Sequence, residues 1–338
     1  MNLQNTWQRL RISRKDWGYN MKGLELARKY YDTYIEQLLE AVPEARGRFA
    51  AGLVGEGSQC FGYDDRISQD HDFGPGFCIW LTDADFAAFG GRLQQAYDAL
   101  PDEFEGFSRK GLIARDRMGV MTISDFYSRF TGFPEGVPQS LIDWLFVSEN
   151  QLAAVTNGVI FQDDPGIFTG IRQRLLRFYP EDVRRKKIAA RAAIMSQAGQ
   201  YNLLRSIKRE DTVAATLALA RFTEAAVSMA HLLEGRYTPF YKWGFRSLKS
   251  LLFGRGFVRH LDRIPELEAS LYQRDFVKAH NQAFAITESI CRATAAELRK
   301  QGLSTVKSDF LQDHLAEIMD GIEDDRLRSL PAMLDCQN

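Results

Sequence analysis

Segments that predict β-strands are confined to the first half of this chain, and this asymmetry constrains its fold more than any other feature. Short apolar runs between turn residues occur up to residue 161, whereas amphipathic and alanine-rich segments follow from residue 167 onward. The change falls at Asp163-Asp164-Pro165-Gly166, a strong turn signal. We therefore expect an α+β protein, with a small mixed-sheet domain over residues 1–165 and an α-helical bundle domain over residues 166–338.

The pattern of apolar residues predicts individual elements within each half. Residues 235–257, rich in glycine and aromatic residues, are expected to form a packed connector. The predicted strands are 49–54, 77–81, 119–123, 144–147 and 159–161, and the predicted helices are 23–39, 84–100, 148–155, 167–178, 181–209, 211–233, 275–301 and 309–320.

Charge and cysteine usage narrow the classes of protein to which the chain can belong. The formal net charge is −1 over 338 residues, so no global polybasic signal for nucleic acid is present. No apolar run of about eighteen residues is evident, and the N-terminal segment lacks the apolar core of a secretion signal, so no membrane association is expected. The four cysteines lie far apart, which disfavours a zinc site and a disulfide framework and favours reduced thiols in the cytoplasm.

The candidate functional residues of the first half are a turn of small residues and a pair of aspartates. Gly57-Ser58 is followed, after eleven residues, by Asp70-His71-Asp72, which leads into an apolar run. In an extended strand Asp70 and Asp72 would lie on one face and His71 on the other. Two adjacent carboxylates repel each other unless a positive charge lies between them, and a divalent cation with oxygen ligands is the simplest such charge.

This spacing resembles the signature of the polymerase-β-type nucleotidyltransferase superfamily, over the first half of the chain. More narrowly, the whole chain resembles a bacterial family of unknown function that is described as nucleotidyltransferase-like. The layout of a small α/β domain followed by helices is also similar to aminoglycoside nucleotidyltransferases. The stretches that carry the narrower resemblance are GSQCFGYDDRISQDHDFGPGFCIWL, TNGVIFQDDPGIFTGIR, GQYNLLR and YTPFYKW.

The resemblance implies a metal-dependent nucleotidyltransferase that binds a nucleoside triphosphate (NTP) such as ATP. An acceptor hydroxyl would attack the α-phosphorus and release pyrophosphate, with two Mg²⁺ ions (or Mn²⁺) about 4 Å apart between the reacting oxygens and their carboxylate ligands. Asp70 and Asp72 would hold metal. Backbone amides near Gly57 and the hydroxyl of Ser58 would bind phosphate oxygens, since glycine lets the backbone approach them closely.

The resemblance also implies a third carboxylate that binds the catalytic metal and takes the proton of the acceptor. Asp143 lies in an apolar run with strand character, and the short predicted helix and GVIFQDD stretch after it resemble the downstream order in aminoglycoside-modifying relatives. Asp125 comes after the run 120–124, where it could equally begin a helix beside Ser124. Asp143 is the preferred candidate, and Asp125 the alternative.

Two groups in the helical half are candidates for ligand contact. Asn202 and Arg205 are three residues apart and therefore share a helix face, where a polar network between helices is an equally good interpretation. Lys242 lies among aromatic residues; it could contact phosphate, and Tyr241 could stack on a base or line an acceptor pocket. The alternative interpretation is an aromatic core patch with a lysine that reaches solvent.

The expected partners are an NTP and a hydroxyl-bearing acceptor. A small molecule is favoured over a long nucleic acid as the acceptor because the net charge is near zero. An apolar helical surface could support a homodimer. The alternative function is a catalytically inactive NTP-binding sensor or interaction module, although an inactive module has no need to keep two mutually repelling carboxylates.

Overall fold

The computed structural model describes residues 21–68, 73–109 and 117–334. It confirms an α+β protein with a small mixed sheet and a helical C-terminal region. The strands are β1 (Ala50–Leu53), β2 (Cys78–Leu81), β3 (Glu103–Phe104), β4 (Phe107–Ser108), β5 (Gly119–Thr122) and β6 (Val159–Asp163).

Helices surround the sheet and form most of the described chain. The helices up to β6 are α1 (Gly23–Ala41), α2 (Asp83–Asp85 and Gly91–Asp98, joined by the π-helical segment Phe86–Gly90), α3 (Ile123–Thr131), α4 (Leu141–Phe146) and α5 (Glu149–Val155), with a 3-10 turn at Pro43–Ala45. Those after β6 are α6 (Ile167–Leu176), α7 (Glu181–Met195 and Leu204–Lys208, joined by the π-helical segment Ser196–Leu203), α8 (Thr212–Leu233), α9 (Tyr241–Leu248), α10 (Gly254–Leu261), α11 (Ile264–Tyr272), α12 (Phe276–Lys300), α13 (Leu315–Asp320, preceded by a 3-10 turn at Leu311–His314) and α14 (Asp325–Ser329).

The sheet has the strand order β5-β2-β1-β6. Strand β1 is antiparallel to both β2 and β6, whereas β5 is parallel to β2, so the sheet is mixed as predicted. This arrangement brings the last residue of β1 and the first residues of β2 and β5 to one end of the sheet. The loops that follow β1 and precede β2 and β5 therefore meet at that end.

Both faces of the sheet are buried, because its side chains alternate between two apolar clusters. Ile79 and Leu81 pack with residues of α1 and α2 on one face. Cys78 and Trp80 face the opposite cluster, where the Trp80 ring stacks on Phe168 at a centroid distance of 4.0 Å. That second cluster continues through the helices as far as Leu327, so one contiguous core includes residues before and after the turn that precedes α6.

Helix α8 forms the centre of the helical half and packs against α7, α9 and α12. By length and composition it could cross a membrane, since its 22 residues include a window of mean hydropathy 1.3, although Arg221 and Glu224 interrupt its apolar sequence. Half of that window is buried within the protein, where α8 packs against its neighbouring helices.

A buried ion cluster joins elements from both halves. Glu149, the first residue of α5, lies 2.9 Å from Arg191 of α7 and also accepts hydrogen bonds from Ser228 of α8 and Thr238 ahead of α9. Burial raises the pKa of the Glu149 carboxyl, but attraction to Arg191 and Lys187 outweighs that effect and holds the pKa below its ordinary value.

The elements that the sequence mispredicts lack a clear period. Of residues 144–147, predicted as a strand, 144–146 belong to helix α4 and Val147 is its C-cap, because Ser140 and Asp143 form a capping box at the start of the helix. The segment 235–257, predicted as a connector, contains α9 and the beginning of α10. The other predicted strands and helices correspond to observed elements with shifts of a few residues at their ends, the last predicted helix being part 3-10 turn.

Candidate functional site

A cavity of about 450 Å³ opens at the end of the sheet where β1 ends and β2 and β5 begin. This volume lies within the usual range of small-molecule sites. Helix α9 supplies Lys242 and Trp243 to the wall, so residues from both halves of the chain line the cavity. The apolar part of the lining is Leu53, Val54, Ile67, Phe73, Met118, Phe126 and Phe130, and the polar part includes Glu56, Gly57, Ser58, Gln59, Asp65, Ser68, Arg117 and Arg129.

The turn after β1 presents backbone donors at this cavity. Gly55 and Gly57 have φ angles of +123° and +107°, a region that glycine adopts without strain. In the part of the chain that the structure describes, the amides of Gly57 and Ser58 and the Ser58 hydroxyl donate no hydrogen bond. Successive free amides in such a turn are the usual donors for an anionic oxygen. The two predicted phosphate-binding residues therefore lie in the cavity with their donors available.

Asn157 holds this turn in place from the loop between α5 and β6. Its side-chain Oδ1 accepts from the Gly55 amide at 2.9 Å, and its Nδ2 donates to the Gly55 carbonyl at 2.7 Å. The next residue, Gly158, donates its amide to the Cys60 carbonyl at 2.9 Å. Both polar groups of one turn residue are thus satisfied by a single side chain, which fixes the turn without using the amides of Gly57 and Ser58.

Three cationic side chains line the cavity, and two of them were not predicted. Arg117, ahead of β5, pairs with Glu56 at 3.0 Å, and Arg129 lies in the last turn of α3. The third is Lys242, whose Nζ lies 5.1 Å from the centroid of the Trp243 ring. The carboxylate of Asp65 accepts from the amides of Ile67 and Ser68 in its own loop, so it is engaged locally.

The predicted metal ligands Asp70 and Asp72, together with His71, lie outside the described residues. The described residues on either side of them, Ser68 and Phe73, both line the cavity. Across residues 21–68, 73–109 and 117–334, no group of three or more His, Cys, Asp or Glu side chains is arranged to hold a metal ion.

Neither candidate for the third carboxylate is among the residues that line the cavity. Asp143 is not on a strand as expected; it is at the start of α4, where its carboxylate accepts from the Ser140 amide at 2.9 Å and the Ser140 hydroxyl at 2.8 Å. Asp125 is exposed in the first turn of α3, where the N-cap is Thr122 rather than Ser124. Thr122 is at the opposite end of β5 from the cavity residues Arg117 and Met118.

Of the four candidates in the helical half, one lines the cavity and three do not. Asn202 and Arg205 are exposed and do not line the cavity, and the Arg205 guanidinium lies 4.6 Å from the Tyr201 ring. Tyr241 is 72% exposed and packs on Phe240 beside the cavity residue Lys242. Of the predicted residues in this half, only Lys242 is brought to the cavity wall.

An aromatic contact joins the loop after the glycine turn to helix α9. The Tyr63 ring lies 5.7 Å from Phe61 on one side and 5.7 Å from Trp243 on the other. The Arg246 guanidinium is 5.0 Å from the Tyr63 ring and donates to the Tyr63 carbonyl. The loop that carries Ser58 is therefore fixed to the helical half at the edge of the cavity.

Burial disfavours the reactive thiolate form of Cys60, the cysteine in the cavity wall. Burial raises the pKa of the Cys60 thiol well above its ordinary value, and burial also raises the pKa of Cys78 to about 12. Thiols with such pKa values remain protonated at neutral pH, and only the thiolate attacks. Chemistry at this cavity therefore depends on its oxygen and nitrogen groups.

Comparison with known proteins adds one finding. The sequence model of a family described as a domain of unknown function, DUF4037, matches residues 144–244. No curated protein and no solved structure matches the chain. The matched segment includes Asn157, Lys242 and Trp243 but not Gly57, Ser58 or the acidic pair. Over that segment, the chain is similar to a family whose function is unknown.

Proposed function

We propose that this protein is a Mg²⁺-dependent nucleotidyltransferase that moves a nucleoside monophosphate from an NTP to an acceptor hydroxyl. The observation that carries the proposal is the coincidence, in one cavity, of three cationic side chains and two amides, at Gly57 and Ser58, that donate no hydrogen bond within the described residues. A triphosphate needs both kinds of partner, because its oxygens accept hydrogen bonds and its charge must be neutralised.

Different cavity residues would contact different parts of a bound triphosphate. The Gly57 and Ser58 amides and the Ser58 hydroxyl would donate to terminal phosphate oxygens. Arg117, Arg129 and Lys242 would neutralise charge, and Trp243 offers an aromatic surface for a base. Arg117 also pairs with Glu56 at 3.0 Å, so the three cations and the two carboxylates among the described lining residues, Glu56 and Asp65, leave a net charge of +1 toward a bound anion.

Asp70 and Asp72 would hold the metal in this proposal. Carboxylate oxygens are ligands that Mg²⁺ accepts, and the chain enters and leaves 69–72 at two cavity residues, Ser68 and Phe73. When bound, Mg²⁺ would offset the charge that develops on the triphosphate. Asp143 and Asp125 are not part of the proposed site, since the structure gives them other positions.

Labelled NTPs test the proposal directly. The full chain is incubated with each of α-labelled ATP, GTP, CTP and UTP, with Mg²⁺, and with a small-molecule extract as the source of acceptor hydroxyls. We expect Mg²⁺-dependent pyrophosphate release and labelled product, both lost in Asp70→Asn and Asp72→Asn. Asp320→Asn makes the same chemical change at an exposed residue of α13 and should leave release unchanged.

The alternative function gives a different result in the same experiment. A sensor would bind an NTP without releasing pyrophosphate, and titration of each NTP into the protein would detect that binding. Absence of NTP binding by the wild-type protein would contradict both functions. We place the reaction in the cytoplasm, because reduced thiols and NTPs coexist there.

A further inference from the structure

A short segment of the helical half is strongly basic although the whole chain is nearly neutral. Residues 236–263 contain seven Arg and Lys against one Asp, while the whole chain has 43 basic and 44 acidic residues. The segment spans α9, α10 and their flanking loops. The net charge of −1 therefore conceals a local excess of positive charge.

The cations of this segment form exposed rows on two neighbouring helices. Lys242, Arg246 and Lys249 are spaced i, i+4 and i+7 along α9 and its C-cap, and therefore share one face, while Arg255 and Arg259 are spaced i, i+4 on α10. These five residues, which we call the basic strip, are all exposed. None of them belongs to a salt bridge within the described part of the chain.

The strip begins at the cavity. Lys242 lines the cavity wall, and Lys249 lies about 10 Å farther along the helix axis at 1.5 Å per residue. Two exposed aromatic residues precede Lys242: Phe240 is 46% exposed and Tyr241 is 72% exposed, with ring centroids 4.6 Å apart. Exposed aromatic rings beside a row of cations are the elements that bind single-stranded nucleic acids, where bases stack and phosphates are neutralised.

The basic environment also acts on the one histidine of α10. Burial lowers the pKa of His260, and the neighbouring charges of Arg259 and Arg263 lower it further. The positive charges of this surface are thus close enough together to disfavour an additional cation, as expected for a surface that attracts a polyanion.

We propose that the basic strip binds the phosphodiester backbone of a single-stranded RNA and directs its 3′ end into the cavity. The acceptor role of that end rests on the function proposed above, whereas the binding does not. In the transfer, the terminal ribose hydroxyl oxygen bonds to the α-phosphorus of the NTP. The bond from that phosphorus to the bridging oxygen breaks, pyrophosphate leaves with the electron pair, and the hydroxyl proton passes to solvent.

An anionic membrane is the main competing partner for a basic surface. Membrane binding requires apolar side chains that insert, and Leu252, 80% exposed between α9 and α10, is one such residue. The exposed residues next to Lys242 in the chain are the aromatic rings of Phe240 and Tyr241, on which bases can stack, and a single-stranded RNA also carries a hydroxyl at its 3′ end. RNA accounts for both features and is therefore the partner that we propose.

Fluorescence anisotropy with a labelled single-stranded RNA of about twelve nucleotides tests the binding. The variant Lys249→Gln/Arg255→Gln/Arg259→Gln neutralises the strip outside the cavity, and Lys208→Gln/Arg209→Gln/Arg221→Gln removes the same residue types from another exposed surface. We expect the first triple variant to bind at least about tenfold more weakly, with a salt slope smaller by about 2. The second triple variant should bind the RNA as the wild type does.

The outcomes separate this inference from the proposed function. Three results would overturn the RNA-binding role of the basic strip. They are absence of RNA binding by the wild-type protein, equal loss of affinity in both triple variants, and binding to phosphatidylserine vesicles in preference to RNA. Labelled monophosphate at the RNA 3′ end, absent when that end is blocked, would support the acceptor role. Pyrophosphate release with a small-molecule extract but not with RNA would overturn the role of RNA as the acceptor. The same result would still support the nucleotidyltransferase activity.

Discussion

At the scale of single residues, the backbone conformation at Gly57 links the sequence to the cavity. A residue with a side chain has to adopt φ = +107° there, which costs about 1–2 kcal/mol. The nearest atom to an added Cβ would be Cγ of Gln59 at 3.8 Å, so the cost comes from the backbone and not from a collision. Relaxation of that backbone would turn the adjacent amides away from the cavity.

The first prediction concerns this glycine. Gly57→Ala should weaken NTP binding by about tenfold or more, because about 1.4 kcal/mol of lost amide contact corresponds to a factor of ten. Gly47→Ala is the matched control, since Gly47 also has positive φ (+74°) and open space around it but does not line the cavity. Isothermal titration with Mg²⁺-ATP and thermal unfolding of both variants measure the effects. Equal loss of affinity in the two variants would contradict the assigned role.

At the scale of elements, the glycine turn depends on the loop between α5 and β6. Asn157 satisfies both polar groups of Gly55, so the turn and the loop move as one unit. From the sequence, Asn157-Gly158 indicates only a turn, because nothing local shows that its side chain meets a residue a hundred positions earlier. Arg117 and Arg129 were also missed because their position depends on contacts between distant parts of the chain. Arg117 reaches the cavity because β5 pairs with β2, and Arg129 because helix α3, which follows β5, runs back toward the cavity.

The second prediction concerns this contact. Asn157→Ala removes two hydrogen bonds worth about 0.5–1.5 kcal/mol each, and should weaken NTP binding severalfold through disorder of the turn. Asn157→Asp keeps the acceptor for the Gly55 amide but places a carboxylate oxygen against the Gly55 carbonyl and adds negative charge beside the turn, so its affinity should fall at least as far as that of Asn157→Ala. Asn281→Ala, at an exposed position of α12, is the control. An unchanged dissociation constant in Asn157→Ala would show that the turn needs no support from this side chain.

Element identity was predictable where periodicity is long and ambiguous where it is short. The helices α1, α8 and α12 carry many turns of regular apolar spacing, and the sequence predicts each of them. The six residues of α4 are too few to show a period, and their apolar run has the composition of a buried strand. Ser140 and Asp143, at capping-box spacing, were the available signal for a helix. In such a box the Asp143 carboxylate accepts hydrogen bonds at the N-terminus of the helix to which it belongs.

At the scale of the whole molecule, one core and one buried ion cluster connect the two halves. The sequence predicts the division into sheet and helices, but not that a single apolar cluster continues across it. Burial of Glu149 with Arg191 joins α5 to α7, and Thr238 extends the cluster to the segment ahead of α9. Since α9 supplies part of the cavity wall, the shape of the cavity depends on this cluster as well as on the sheet.

The third prediction concerns the stability of that connection. Glu149→Gln leaves two cations buried without their counter-charge and should lower the free energy of unfolding by about 3–5 kcal/mol. The folded-state pKa of Glu149 is lowered, so its charge contributes stability above the unfolded value near 4.5 that is lost as pH falls through the folded pKa. Urea unfolding at several pH values should therefore show that the free energy of unfolding of the wild type exceeds that of Glu149→Gln by a constant amount near neutrality. This difference should shrink below about pH 4.5. The exposed Glu268→Gln is the control, and a difference under about 1 kcal/mol at neutral pH would contradict the prediction.

The central claim is that this cavity holds an NTP by its phosphates, next to divalent cations on the acidic pair. A crystal structure with Mg²⁺ and a non-hydrolysable ATP analogue tests it most directly. We expect phosphate oxygens within hydrogen-bond distance of the Gly57 and Ser58 amides, and metal coordinated by Asp70 and Asp72. An analogue bound elsewhere, or the two aspartates paired with an arginine that leaves no room for ions, would contradict it.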